Sequence, residues 1–196
     1  MNSRIGAVGP EITTFALLQT LLTDQMNNGA RIALTGFMGV GKSSVARHLS
    51  HMLKCRRVDL DHVIEVRERR RIVEIIDADG IDRYREIETH YLEHVLAEPS
   101  TQILSLGGGT WTVEQNREML KASSYTTVWL EATFEHCWMN ISHSKKDRPL
   151  ARNKQAALKL FEERQKVYCL ADWHVIIRPD YSSYDVAAKI ADEIFS

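Results

Sequence analysis

The chain has 196 residues, of which 44% are hydrophobic and 26% are charged, a composition that suits one globular domain with a substantial core. Its 25 lysine and arginine residues nearly balance its 26 aspartate and glutamate residues, so the net charge does not favour nucleic-acid or membrane binding. No apolar run approaches the roughly 20 residues that span a bilayer, and three widely spaced cysteines are typical of reduced thiols. We therefore expect a soluble, cytoplasmic monomer without nucleic-acid or membrane partners.

Residues 1–30 are predicted to form a helical N-terminal extension. Between Glu11 and Met26 the apolar side chains recur at a helical spacing, at Ile12, Phe15, Leu18, Leu21 and Leu22. The polar turn residues 27–29 then end this pattern. We interpret the segment as a helix that packs on the main domain, with a partner-binding arm as the alternative.

From residue 31 to the end, short apolar runs alternate with longer helical patterns. The predicted strands are 31–35, 56–59, 102–106, 126–130 and 174–177. The predicted helices are 42–54, 61–77, 82–97, 113–122, 133–142, 153–170 and 183–195. This alternation predicts an α/β domain over 31–196 with a parallel sheet and right-handed crossovers. The polar stretch at about 141–154 is predicted to be a mobile lid.

The strongest chemical signal is a phosphate-binding loop. Residues 36–43, GFMGVGKS, match the pattern GxxxxGK[ST] and lie between the first predicted strand and a helix. Glycines let backbone N–H groups approach phosphate oxygens, Lys42 can reach the β- and γ-phosphates, and the Ser43 hydroxyl can ligate magnesium. The predicted nucleotide-binding residues of this loop are Gly39, Val40, Gly41, Lys42, Ser43 and Ser44. The pattern predicts a nucleotide but does not specify the acceptor.

Two acidic residues follow the second predicted strand. Asp59 and Asp61 are two positions apart, so on extended backbone both carboxylates point the same way. The carboxyl ends of parallel strands line the ligand crevice of such sheets. One carboxylate could therefore serve Mg²⁺ and the other a substrate hydroxyl. The alternative is that Asp61 only caps the following helix.

Three further features carry weaker signals. Arg85 and Glu88 are three positions apart, which fits either a surface salt bridge or a carboxylate that directs the arginine toward an anionic substrate. The three glycines at 107–109 follow an apolar strand and indicate either a close backbone approach or a loose turn. Arg148, in the predicted lid, could reach a transferring phosphoryl group.

The order and spacing of these motifs resemble the shikimate kinase family over about residues 31–193. The family pattern is GxxGxGKS, DxD, GExxFRxxE, GGG, RPL and RxxxY, in that order. This chain reads GFMGVGKS at 36–43, DLD at 59–61, GIDRYREIE at 80–88, GGG at 107–109, RPL at 148–150 and RQKVY at 164–168. The resemblance implies a three-layer P-loop kinase fold whose five-stranded parallel sheet has the order 2-3-1-4-5. It also implies ATP-dependent phosphorylation of shikimate to shikimate 3-phosphate, a step of chorismate and aromatic amino acid biosynthesis.

The resemblance further implies which residues hold the acceptor. Asp61 would hold the acceptor hydroxyl and serve as general base. Arg85 and Arg164 would clamp the shikimate carboxylate, for which a planar guanidinium is suited. The backbone at Gly108 and Gly109 would contact substrate hydroxyls.

On the nucleotide side, the resemblance implies that Lys42 and Arg148 grip ATP and the transferring phosphoryl group. Ser43 and Asp59 would serve Mg²⁺, Asp59 through water. The arginine that packs on adenine in the family is replaced in the region 140–141, a departure that concerns nucleotide affinity and not the type of reaction.

Two alternative functions stay open from the sequence. One is a related P-loop kinase for another hydroxy or sugar acid such as gluconate, which a panel of acceptor acids would distinguish. The other is a non-catalytic, kinase-like module that senses a ligand, which would bind without producing ADP. The intact Lys42, Ser43, Asp61 and Arg148 argue against this second alternative.

Overall fold

A five-stranded parallel sheet forms the centre of the fold in the computed structural model, which describes residues 30–144 and 147–195. The strands are β1 (Arg31–Thr35), β2 (Arg57–Asp59), β3 (Ile103–Ser105), β4 (Tyr125–Glu131) and β5 (Trp173–Ile176). Their order is β2-β3-β1-β4-β5 and every neighbouring pair is parallel, which confirms the predicted fold class. The predicted N-terminal extension lies outside the described residues except for its last residue, Ala30.

Eight α-helices and two short 3₁₀ turns connect the strands within the described residues. The helices are α1 (Lys42–Met52), α2 (Leu60–Glu68), α3 (Ile72–Asp79), α4 (Ile81–Leu96), α5 (Glu114–Ala122), α6 (Phe134–His143), α7 (Lys154–Tyr168) and α8 (Ser183–Phe195). The turns are Thr110–Thr112 and Pro149–Ala151. In the part of the chain that the structure describes, no helix is long and apolar enough to cross a membrane.

The central strands are buried on both faces. Ala33 and Leu34 of β1 and Leu104 of β3 have no exposed surface, because helices pack on each side of the sheet and α1 also packs against α8. Continuous apolar runs are therefore the pattern that these strands require, and the predicted strands lie within two residues of the observed ones.

One predicted helix is wrong in its extent. The stretch predicted as a single helix at 61–77 forms two helices, α2 and α3. The break occurs where Arg69 adopts a left-handed backbone with φ of 53° and ends α2. Arg70, in the turn that precedes α3, forms an ion pair at 2.6 Å with Asp79 at the C-terminal end of α3. The apolar period continues through this region, so local turn geometry and ion pairing decide the break.

The register of the sheet brings three loops to one edge. Leu34 of β1 and Asp59 of β2 both pair with Ser105 of β3, so the three strands end at the same level. The phosphate-binding loop, the residues after β2 and the glycines at 107–109 therefore leave the sheet side by side. This edge is where the candidate site lies.

Leu104→Ala is expected to lower the free energy of unfolding by about 2 to 5 kcal/mol, because it leaves a cavity between the sheet and the helices that pack on it. Chemical denaturation measures this change. Leu158→Ala is the control, since Leu158 lies on α7 with 37% of its surface exposed and should change stability by about 0.5 kcal/mol or less. Equal losses in the two variants would contradict the placement of the core.

Candidate active site

The loop between β1 and α1 has the geometry of a phosphate cradle. The helix α1 begins at Lys42, so its N-terminus and its positive dipole end face the loop. Gly39 adopts φ of 83°, and a Cβ atom there would lie 2.5 Å from the carbonyl oxygen of Cys137. Only glycine fits that position. The Lys42 side chain is buried, and its Nζ donates to the carbonyl oxygens of Gly36 at 2.8 Å and Phe37 at 3.1 Å.

Two cations, the buried Lys42 and the partly buried Arg148, lie close together beside this loop. Burial lowers the pKa of Lys42 to about 8, nearby Asp61 partly opposes that change, and the positive charge of Arg148 reinforces it. Burial also lowers the pKa of Arg148, and its Nε atom has no hydrogen-bond partner among the described residues. A polyanion such as a nucleotide phosphate would supply negative charge that balances the two cations and an acceptor for Nε of Arg148.

A cavity of about 450 Å³ opens over the phosphate-binding loop, and we call it the P-loop cavity. All the residues predicted for nucleotide and metal binding line it, together with Asp61: Gly39, Val40, Gly41, Lys42, Ser43, Ser44, Asp59, Asp61 and Arg148. This cavity is also lined by His136, Ile177 and Tyr181, which were not predicted from the sequence. These three residues belong to no sequence motif. They reach the loop only because α6 and the segment after β5 pack beside it.

Asn140 lies in the region 140–141, where the resemblance places the replaced arginine. Its side-chain Nδ2 donates to the carbonyl oxygen of Gly39 at 2.8 Å, and it also lies 3.2 Å from Nε2 of His136. Asn140 therefore connects α6 to the phosphate-binding loop.

Ser43 and Asp59 place two side-chain oxygens that could hold a metal ion at the wall of the P-loop cavity. The Ser43 hydroxyl donates to Oδ2 of Asp59 at 2.5 Å. Within residues 30–144 and 147–195 there is no cluster of three histidine, cysteine, aspartate or glutamate residues that could enclose a metal ion. Mg²⁺ typically takes only one or two protein oxygens and completes its shell with water and phosphates. The Ser43–Asp59 pair fits that requirement.

The alternative that Asp61 caps the following helix is wrong, because Asp59 forms that cap. Asp59 is the N-cap residue of α2, and its Oδ1 accepts from the backbone N–H of His62 at 3.3 Å. Asp61 lies one residue inside the helix, not on extended backbone. Both carboxylates nevertheless line the P-loop cavity, so the predicted convergence holds although its geometric reason differs.

A second, smaller cavity of about 80 Å³ adjoins the first, and we call it the arginine cavity. The predicted acceptor residues all line it: Asp61, Arg85, Gly108, Gly109 and Arg164. Asp61 and Arg148 line both cavities and therefore stand at their boundary. Pro149 and Leu150 of the predicted lid line the arginine cavity as well, and Arg152 pairs with Asp77 of α3 at 2.7 Å.

The Arg85–Glu88 pair is not an exposed surface salt bridge, since Arg85 is only 20% exposed and Glu88 is fully buried. Glu88 has no exposed surface, and its Oε2 accepts from Nη1 of Arg85 at 2.5 Å. Its Oε1 accepts from the Thr110 hydroxyl at 2.7 Å and, more weakly, from the Tyr84 hydroxyl at 3.4 Å. A buried carboxylate with these donors holds the Arg85 guanidinium in one orientation toward the cavity.

The three glycines after β3 make room for charged groups, so the loose-turn alternative is wrong. A Cβ atom at Gly107 would lie 2.6 Å from Oε1 of Glu88 and 2.8 Å from Oδ1 of Asp61. A Cβ atom at Gly109 would occupy the space of the Arg85 guanidinium. On the other side of the loop, Nη1 of the buried Arg164 donates to the carbonyl oxygen of Gly108 at 3.0 Å.

Comparison with known proteins identifies the family. The shikimate kinase family model matches residues 38–195. The shikimate kinase of Persephonella marina is 35% identical over 168 residues, which are 83% of this chain and 98% of that protein. The chain belongs to the shikimate kinase family. The shikimate kinase of Streptococcus thermophilus is 38% identical over 138 residues, covering 69% of this chain and 82% of that protein.

A solved structure of a shikimate kinase has the same fold. The enzyme from Acinetobacter baumannii in complex with shikimate matches with a TM-score of 0.80 at 29% identity, covering 88% of this chain and 96% of that chain. Shikimate kinases are ATP-dependent transferases of aromatic amino acid biosynthesis, which confirms the class of enzyme predicted from the motifs.

The lowered pKa of Lys42 predicts that ATP binding to this shikimate kinase takes up a proton on the alkaline side of about pH 8. There the free Lys42 is largely neutral, whereas bound phosphates favour the charged ammonium, so binding restores the proton. On the acid side Lys42 is already charged, and the uptake should be small. Calorimetry in buffers of different ionisation enthalpy, about one unit on either side of this pKa, measures the uptake. Equal proton exchange at both values would contradict the prediction.

Proposed function

We propose that this chain transfers the γ-phosphoryl group of ATP to the 3-hydroxyl of shikimate, giving shikimate 3-phosphate and ADP. The observation that supports this most directly is that Asp61 and Arg148 line both cavities. A carboxylate and a guanidinium thus stand where the phosphate end of a nucleotide and the hydroxyl of an acceptor would meet. The Acinetobacter baumannii relative is in complex with shikimate, and this supports the same acceptor here.

Arg85 and Arg164 would bind the shikimate carboxylate. They extend from α4 and α7 and flank the loop at Gly108 and Gly109, so two guanidinium groups face one cavity. Glu88 orients Arg85 through one of its nitrogens, and Arg164 uses one nitrogen on the Gly108 carbonyl. Each guanidinium has further N–H donors for a planar carboxylate. A hydroxy acid with one carboxylate fits this distribution of charge.

Asp61 would accept the proton of the acceptor hydroxyl during transfer. The new bond forms between the acceptor oxygen and the γ-phosphorus, and the bond from that phosphorus to the ADP oxygen breaks. The hydroxyl proton passes to the Asp61 carboxylate and from there to solvent. Lys42 and Arg148 would offset the negative charge on the transferring group, which is a main source of rate in phosphoryl transfer.

Mg²⁺ would be held by Ser43 and Asp59, whose hydroxyl and carboxylate oxygens lie together at the wall of the P-loop cavity. When bound, it neutralises charge on the β- and γ-phosphates. The loop residues Gly39 to Ser44 would bind the phosphates through backbone N–H groups and the N-terminus of α1.

A coupled ADP-release assay with ATP, Mg²⁺ and shikimate tests the proposal, with the mass of the product as confirmation. ADP release that depends on shikimate is the expected result. A folded protein that binds ATP but releases no ADP with shikimate would contradict it. A panel of other hydroxy acids, including gluconate, would then separate another acceptor from a non-catalytic module.

Asp61→Asn is expected to lower kcat by about 100-fold or more, because an amide cannot accept the hydroxyl proton. ATP binding should persist, since the phosphate-binding loop, Lys42 and Arg148 are unchanged. Asp82→Asn is the matched control, because Asp82 is an exposed aspartate in the first turn of α4. Its kcat should equal that of the wild type. Undiminished turnover in Asp61→Asn would remove Asp61 from the mechanism.

Gly109→Ala is expected to raise KM for shikimate about 10- to 100-fold, the loss that follows when charge-assisted hydrogen bonds are removed. Gly109 has φ of −115°, which alanine tolerates, so the effect arises from displacement of Arg85 and not from backbone strain. Gln115→Ala is the control, since Gln115 is an exposed residue of α5 that lines neither cavity. Steady-state kinetics of the two variants measure the difference, and equal KM values would contradict the close approach of Arg85.

A further inference from the structure

Side chains from three helices hold the loop that follows β3. Glu88 of α4 accepts from the Thr110 hydroxyl, and Asn116 of α5 donates to the Thr110 carbonyl oxygen at 3.0 Å. From α7, Tyr168 donates to the carbonyl oxygen of Gly108 at 2.5 Å. Of these three side chains, only that of Tyr168 bonds directly to a residue of the glycine segment 107–109.

This segment needs an external restraint. Three consecutive glycines have no side chains to limit rotation, so peptide orientations that other residues avoid are open to them. The Gly108 carbonyl oxygen accepts from two donors, the Tyr168 hydroxyl and Nη1 of Arg164 at 3.0 Å. Both donors come from α7, so the carbonyl is held toward that helix.

The orientation of this carbonyl fixes the next N–H group. The chain has no cis peptide bonds in its described part, and in a trans peptide the N–H of one residue points opposite to the carbonyl of the residue before it. The Gly109 N–H is therefore directed away from α7. Within residues 30–144 and 147–195 it has no protein acceptor, and Gly109 lines the arginine cavity. This N–H is a donor that the loop can offer to an acceptor hydroxyl.

We propose that Tyr168 is a positioning residue for shikimate, whose hydroxyl holds the Gly108–Gly109 peptide so that the Gly109 N–H faces a substrate hydroxyl. The inference rests on the proposed function, because it names a group that acts on the same acceptor. Tyr168 lines neither the P-loop cavity nor the arginine cavity, so it acts through the peptide and not by touching the substrate.

The environment of Tyr168 suits this role. Its side chain is 1% exposed, and its ring lies 6.1 Å from that of Trp129, so the phenol is fixed by the core. Burial raises the pKa of Tyr168 to about 12, and the hydroxyl therefore stays protonated and donates throughout the neutral range.

Tyr168→Phe tests the proposal, since it removes the hydroxyl and keeps the ring. KM and Kd for shikimate are expected to rise about 3- to 10-fold, the size expected for one lost hydrogen bond. Because the chemistry and the nucleotide site are untouched, kcat and KM for ATP should stay within about twofold. Kinetics and shikimate binding by calorimetry measure these values.

Tyr125→Phe is the matched control. Tyr125 is also a buried tyrosine whose hydroxyl donates to a backbone carbonyl, that of Thr101 at 2.9 Å, but it lines neither of the two cavities. It should lose a similar amount of stability and keep the wild-type KM for shikimate. If both variants raise KM equally, the effect is a general loss of stability and the proposal is wrong.

Two further outcomes separate this inference from the proposed function. If the wild type neither binds nor phosphorylates shikimate, the proposed function fails and the inference fails with it. If the wild type turns shikimate over but Tyr168→Phe has the same KM and Kd, the positioning role alone is overturned.

A measurement without any variant is the amide signal of Gly109 in the labelled wild type, which should shift when shikimate is added. An unchanged signal would also overturn the proposal.

Discussion

The parallel, in-register pairing of β2, β3 and β1 is the constraint on which the site depends. Because Asp59, Ser105 and Leu34 lie in one row, the three loops that follow these strands meet at one edge of the sheet. Each loop carries a different kind of group: backbone donors with a lysine, carboxylates, and glycines that other side chains can approach. A shift of one residue in either pairing would separate them and turn the strand side chains to the opposite faces.

The second feature of the site is positive charge with little solvent exposure, on Lys42 and Arg148. Desolvation of Lys42 and Arg148 costs free energy that their protein neighbours offset only in part, as the lowered pKa of each group indicates. A bound polyanion would remove this desolvation cost. Relief of the cost would therefore contribute favourably to the free energy of binding. Arg85 differs because the buried Glu88 neutralises it, and its contribution is orientation.

The residues that support the site are distinct from those that would contact its ligands. Thr110, Asn116 and Tyr168 reach backbone or carboxylate groups of the site and have no place in the phosphate-binding motif. A loop of three glycines can approach arginines and carboxylates closely, but it cannot hold its own shape. The helices around it supply that shape through hydrogen bonds.

The sequence by itself determined the five strands, most of the helices and the phosphate-binding loop, since periodicity and motif spacing are local properties of the chain. The resemblance to the family supplied the predicted residues of the acceptor side. It did not predict the break at Arg69, the cap at Asp59 in place of Asp61, or the burial of the Arg85–Glu88 pair. The break and the cap are local, since the turn at 69–71 and the Asp59–His62 hydrogen bond decide them. Only the tertiary structure decided the burial of Glu88 and the two hydrogen bonds to the Gly108 carbonyl, because these depend on packing between distant segments. No pattern in neighbouring residues records which groups that packing will bring together.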